Sequence, residues 1–334
     1  MISTDTRLAG AAAPALAPPR RARRAATAAP PKPARPRSLW LDAFHRFRRN
    51  KLAIAGVVIT LLLVAIAIVG PYLSPYDYTR QDYLAVNVPP DSAHWLGTDA
   101  IGRDYLARLM MGGRTAFILA FWVVGITMLL GMTLGAMSGF LGGWVDTAIM
   151  RVADAVMAFP HLLLALFLAG AIRPPVARWL AGYDFFRENA YLVDYAVVFG
   201  ALAVVSWPGM ARLTRAQILT MRRQEFVQAA GALGASPWRI MFRHLLPNAI
   251  GPVVVYASAM LTSVMVLESS LSFFGIGVRP PAASWGSMIG ENLTTWQHSP
   301  HLLAAPSIVL VIAALGFNFI GDGLNDALDP RRVR

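Results

Sequence analysis

Uncharged apolar runs, each about as long as the roughly 20-residue helix that crosses a hydrocarbon layer, recur along this chain. The plainest is LAIAGVVITLLLVAIAIVG, residues 52–70. Others lie within 115–140, at 155–172, at 195–211, at about 248–267 and at 302–321. A backbone in lipid must satisfy its own hydrogen bonds, so these runs predict helices. The expected fold class is therefore an all-α, polytopic membrane protein with six transmembrane helices, and the lipid bilayer is its first partner. Pro160, Pro208, Pro252 and Pro306 fall in or near four of the runs. There, neighbouring helices or water can satisfy the carbonyl that each proline frees.

Charge supports this reading and orients it. Only 14% of residues are charged, against about 25% in a soluble domain. The net charge of +12 is concentrated before Leu52, in Arg20, Arg21, Arg23, Arg24, Lys32, Arg35, Arg37, Arg46, Arg48, Arg49 and Lys51. A nucleic-acid protein would instead spread its basic residues over a folded face, so no nucleic-acid partner is expected. Residues 1–38, rich in Ala, Pro and Arg, read as a disordered basic tail on the cytoplasmic side. By the positive-inside rule, six crossings return the C-terminus to that side, with Arg331, Arg332 and Arg334. The segment between the fourth and fifth runs carries Arg212, Arg215, Arg222, Arg223, Arg239 and Arg243 and falls inside as well.

That segment contains EFVQAAGALGASPWRIMFRHLLPN, residues 225–248. It has the outline of a helix-turn-helix. Ala229 and Ala230 sit late in a first helix, Leu233-Gly234 supplies a turn, and Ser236-Pro237 supplies an N-cap and a first helical residue. Placed between two membrane spans, it cannot track a DNA groove, and it reads as a short helical hairpin on the cytoplasmic surface. Trp238, Met241, Phe242 and Leu245 form an apolar stripe at helical spacing, and Pro247 is expected to end the helix. The periodicity leaves two roles open, a helix lying on lipid or a docking element for another protein.

Chemistry of its own is not expected. The chain has no cysteine and only two lysines, Lys32 and Lys51, neither in a P-loop context. There is no G-x-S-x-G elbow and no H-E-x-x-H pair. His298 and His301 are separated by Pro300 with no carboxylate beside them. No catalytic, cofactor or metal site follows.

QAAGALG followed by IMFRHLLPN resembles the loop of ABC-importer permeases that reads E-A-A-x-x-x-G with I…LP beyond it. HWLGTDAIGRDYLARLMMGGRTA (94–116), LESSLSFFGIGVRPPAASWGSMI (267–289), GDGLNDALDPR (321–331) and FRRNKLAIAG (47–56) resemble the dipeptide/oligopeptide/nickel class of that family, specifically its second permease subunit. The resemblance spans about Leu39 to Arg331. It leaves out the tail 1–38, and the segment 173–194 looks longer than the family's usual link.

The resemblance implies an ABC type I importer permease in the bacterial inner membrane. In that family the loop couples to an ATPase. Carried over position by position, this assigns ATPase coupling to Glu225, Gln228, Ala229, Ala230, Gly234, Ser236, Ile240, Arg243, Leu246 and Pro247. Gln228 stands where the family often has Glu. Implied partners are a second permease subunit, ATP-binding subunits or domains, and an extracytoplasmic substrate-binding protein. Di- or oligopeptides are the expected cargo. Nickel or another small solute is the alternative within the class, and a non-conducting membrane scaffold is the alternative outside it. The implied organisation is a tail (1–38), a first helix with an extracytoplasmic loop (39–113), a core permease domain (114–322) containing the coupling loop 217–247, and a C-terminal tail (323–334).

Polar residues near membrane depth complete the expectations, as pathway or subunit contacts or as scaffolding. Asp154 has Arg151 nearly one turn away. Glu268 is placed at the end of the fifth span, followed by Ser269 and Ser270. Asp99 is expected to cap the second span, with Arg103 after it and Asp104 paired to Arg108 at i,i+4 spacing.

Overall fold

The computed structural model describes residues 39–328, all helix and loop with no strand among them. They fall almost wholly in one compact unit that begins at Ala43; the other unit, Met1–Asp42, is represented only by the opening turn of α1. The helices are α1 (Leu39–Arg49), α2 (Lys51–Leu73), α3 (Tyr105–Leu141), α4 (Gly143–Met157), α5 (His161–Leu180), α6 (Asp184–Glu188), α7 (Ala190–Met221), α8 (Glu225–Ala232), α9 (Pro237–Ile240), α10 (Leu246–Phe273), α11 (Trp285–Glu291) and α12 (Pro300–Leu328). A π-helical turn, Met241–Leu245, joins α9 to α10. Six stretches are long and apolar enough to cross a membrane: α2, α3, α5, Tyr191–Met221 of α7, the fused Pro237–Phe273, and α12. The chain is a multi-pass membrane protein.

The helix starts are written in short polar side chains. Asn50 caps α2, accepting the Leu52 and Ala53 N–H groups at 3.1 and 3.2 Å. Asp104 caps α3 through the Ala107 N–H at 2.7 Å. Each satisfies donors that the first turn leaves free.

Two ends of the bundle can be told apart. One holds the turn between α8 and α9 (the hairpin end), and the other holds the long loops 74–104 and 274–284 (the loop end). Small residues set the packing between them. Gly131, Gly135 and Gly139 line one face of α3 against α7; a Cβ on Gly135 would stand 2.3 Å from the Ala211 carbonyl oxygen. Such contact is what holds helices together in lipid, where apolar burial gives no net drive. Around it sits a core that includes Phe117, Leu202, Met265, Trp285 and Phe317.

Two spans differ from their sequence outlines. The run 155–172 is not one helix. It breaks at Ala158–Pro160, because Pro160 lacks the N–H that an interior residue donates, and it opens α5 instead. Pro247 does the opposite of what was expected. It does not end its helix, because the chain widens to a π turn just before it. The Leu246 N–H reaches back to the Met241 carbonyl, five residues earlier, and the ladder resumes with Pro247 in the first turn of α10. The second arm of the hairpin is thus the beginning of the fifth span.

Candidate functional site

The hairpin is built from its turn outward. Gly234 has φ of 80°, a left-handed conformation that costs a residue with a Cβ about 1–2 kcal/mol. It lets α8 close in a Schellman motif: the Gly234 N–H meets the Gly231 carbonyl and the Ala235 N–H meets the Ala230 carbonyl, both at 3.0 Å. A Cβ at Gly234 would meet nothing within 4 Å, so the demand here is conformational and not steric. Ser236 then caps α9 through the Arg239 N–H at 3.3 Å, with Pro237 first in the helix.

One side of this hairpin is fastened. Val227, Ile240, Met241 and Leu245 are buried with Ala136 of α3 and Ile218 and Met221 of α7, and Ala230 and Leu246 pack on the same cluster. The other side is bare. Leu233 is 89% exposed, Trp238 55% and Phe242 53%. The indole and the phenyl ring stack with centroids 6.0 Å apart. The expected stripe therefore divides: Met241 and Leu245 anchor, while Trp238 and Phe242 face outward. Glu225 opens α8, where a negative charge suits the helix dipole. Ala229, Arg243 and Pro247 are exposed. Gln228 donates its amide to the Arg223 carbonyl at 3.2 Å, closing the preceding turn. A glutamate could not make that bond.

Just above the hairpin, α4 is tied to α7 by charge. Asp154 pairs with Arg212 at 2.5 Å, not with Arg151 as the spacing suggested. Asp146 takes Arg215 in a two-pronged bond of 2.6 and 2.7 Å.

At the loop end lies a second constellation, largely buried. Asp99 accepts from Arg103 Nε at 2.7 Å and from Arg108 Nη1 at 2.6 Å. Arg108, 1% exposed, also reaches both oxygens of Glu291 at 2.8 and 3.2 Å, and Arg103 reaches one at 3.2 Å. The network pins loop 74–104 and the start of α3 to α11. Burial pushes the Asp99 carboxyl up, but Arg108 and the Arg103 and Ile101 N–H groups outweigh it and hold it below its ordinary 3.8. Two expectations fail here. The cap of α3 is Asp104, not Asp99, because Asp99 turns to the two arginines. And Asp104 does not pair with Arg108; it pairs with His94 at 2.9 Å. Glu291 was invisible to sequence reading, since no local spacing links it to partners more than a hundred residues earlier.

Glu268 is not at a helix end. It sits inside α10, fully buried, accepting the Ser272 hydroxyl at 2.8 Å and the Ser269 hydroxyl at 3.4 Å. Ser270 bonds back to the Val266 carbonyl of its own helix. Glu268 and Ser269 are buried in the packed interior of the bundle.

Comparison with known proteins agrees with this architecture. A family model described as binding-protein-dependent transport system inner membrane component matches residues 131–334. A second, the N-terminal TM domain of oligopeptide transport permease C, matches 38–90. An oligopeptide transport system permease protein of Escherichia coli K12 is 38% identical over 297 residues, covering 88% of this chain and 92% of its own. A glutathione transport system permease protein of Pectobacterium atrosepticum is 36% identical over 296 residues, with the same coverage of 88% and 92%. A dipeptide transport system permease protein of Bacillus subtilis is 34% identical over 299 residues, covering 88% and 86%.

Proposed function

We infer the function from one premise: this chain belongs to the family of inner membrane components of binding-protein-dependent transport systems. On that premise it is one permease half of an ATP-driven importer of di- or oligopeptides. Its relatives are named for oligopeptide, dipeptide and glutathione transport, so a peptide-sized cargo is the reading they support. The single observation that carries the mechanism is the two-sided hairpin. Its inner side is buried against α3 and α7, and its outer side offers Leu233, Trp238 and Phe242 to a partner.

That outer side is the docking face for an ATP-binding subunit. Arg222, Arg223, Arg239 and Arg243 support a cytoplasmic position for the hairpin by the positive-inside rule, as does Lys51 at the same end of the bundle. Both termini then lie in the cytoplasm. The core permease domain, 114–322, forms its half of the pathway with a second, different permease subunit. Closure of the ATPases moves the hairpins, and the Pro237–Phe273 stretch, continuous through its π turn, passes that motion into the membrane. The spans then alternate between outward and inward access. The loop end, braced by Asp99, Arg103, Arg108 and Glu291, receives an extracytoplasmic binding protein. Asp154 serves as a brace between α4 and α7.

Proteoliposomes holding this chain, its partner permease and the ATP-binding subunits test the reading. With the cognate binding protein and a labelled tripeptide outside, uptake is expected to require ATP and the binding protein together. Uptake that is indifferent to ATP would refute it.

A further inference from the structure

Two hollows lie on one face of α7. The first, at the loop end, encloses about 570 Å³, and its walls include Tyr78, Arg114, Trp122, Tyr191, Tyr195 and Phe199. The second encloses about 170 Å³ and includes Ser206, Gly209, Tyr256 and Met260. On α7 the lining residues 191, 195, 199, 206 and 209 recur at helical spacing and share one stripe. From Tyr195 to Ser206 the helix rises about 16 Å. The two hollows thus lie along one spanning helix, the second nearer the hairpin end.

The first hollow's one charged lining residue is Arg114. Arg103, Arg108, Arg173, Arg212 and Arg215 each hold a carboxylate. Arg114, inside the spanning helix α3, pairs with no acidic residue among those described; its guanidinium lies over the Tyr72 ring, 5.8 Å from the centroid. Arg114 stands just before the uncharged run of α3, half-buried at the hollow and without a carboxylate from the described chain, so its guanidinium can take an anion that arrives from outside. The guanidinium fork fits a carboxylate in two bonds. The aromatic walls suit apolar side chains, and the Tyr195 hydroxyl, shared with Thr115 at 3.1 Å, supplies a polar group at the same depth.

We propose that this hollow is a peptide station, in which Arg114 binds the free C-terminal carboxylate of the cargo as it leaves the binding protein. The proposal rests on the peptide-importer reading and adds the chemical group recognised. A phospholipid phosphate is the other anion within reach, and the test separates the two.

The assembled complex is first reconstituted with the unaltered chain and checked for ATP-dependent uptake of a tritiated apolar tripeptide, and Phe199→benzoylphenylalanine is introduced only afterwards, as the cross-linker in the wall of the hollow. Failure at that step refutes the importer reading, not the station. Photolysis is then expected to cross-link the tripeptide to this chain. Arg114→Gln should lower the yield roughly tenfold, the size of one lost charge-assisted bond. The C-terminal amide of the same peptide should give the low yield in both backgrounds. Arg114→Lys, which keeps the charge, should retain much of the signal. The proposal is overturned if Arg114→Gln leaves the yield unchanged, if acid and amide respond alike, if lysine fails as fully as glutamine, or if labelled phospholipid is captured in place of peptide.

Discussion

Gly234→Leu is expected to leave the six spans inserted and to lower ATP-driven uptake about tenfold, while ATP hydrolysis continues without stimulation by the loaded binding protein. The size follows from the backbone. A residue with a Cβ resists φ of 80° by about 1–2 kcal/mol, and about 1.4 kcal/mol is a factor of ten in an equilibrium. No neighbour lies within 4 Å of the new Cβ, so the branch point itself meets no clash in the isolated chain. The damage falls instead on the aim of α9 relative to α8, and on whatever sits against the turn. Two controls separate these effects. Gly234→Asn, which tolerates the left-handed region, should keep most of the coupling. Gly234→Ala carries the strain without the bulk and should fall between. Uptake in the leucine variant equal to the parent would mean that the turn touches nothing that matters.

Arg108→Ala is expected to be the most destabilising single change at the loop end, at about 3–5 kcal/mol. It leaves Asp99, 2% exposed, facing Glu291 with only Arg103 between them, and it uncouples the outer loop from α11. Thermal unfolding of the purified complex should show a lower midpoint, with proteolysis entering first within 74–104. Acid probes the same network. The folded Asp99 carboxyl titrates below its ordinary 3.8, so its contribution is complete above that value and is lost as pH falls toward the depressed one. Between pH 5 and 8 the stability of this corner should therefore be insensitive to Asp99, and a loss beginning near pH 6 would have to come from another group. A midpoint unchanged by Arg108→Ala would show that the network is incidental to the fold.

The spans were legible because lipid imposes a length and a polarity that survive any packing detail. The hairpin turn was legible for a similar reason. Gly234, Ser236 and Pro237 each carry a backbone requirement in the residue itself. Other features depend on geometry that spacing does not encode. Pro247 read as a stop because an α-helical ladder cannot pass it, yet a π turn, Met241–Leu245, changes the register ahead of it. Asp154 read as the partner of Arg151 because the two are close in sequence, whereas helix packing delivers Arg212. Asp99 and Asp104 exchanged roles: either can cap a helix, and burial beside Arg108 decided which one does. Glu268 looked like a helix end because serines and glycines follow it. The helix runs on to Phe273, and the Ser269 and Ser272 hydroxyls instead satisfy the buried carboxyl.

The central claim is that the bare side of the hairpin faces the cytoplasm and is covered by an ATP-binding subunit. Because the chain has no cysteine, Leu233→Cys introduces one thiol at the most exposed point of the turn. Its reactivity toward a membrane-impermeant maleimide is the direct measurement, made in intact cells and in inside-out vesicles with and without the ATP-binding subunits. The account predicts no labelling from outside the cell, strong labelling in stripped inside-out vesicles, and protection once the subunits are restored. Labelling in intact cells, or labelling in vesicles that the ATP-binding subunits do not diminish, would contradict it.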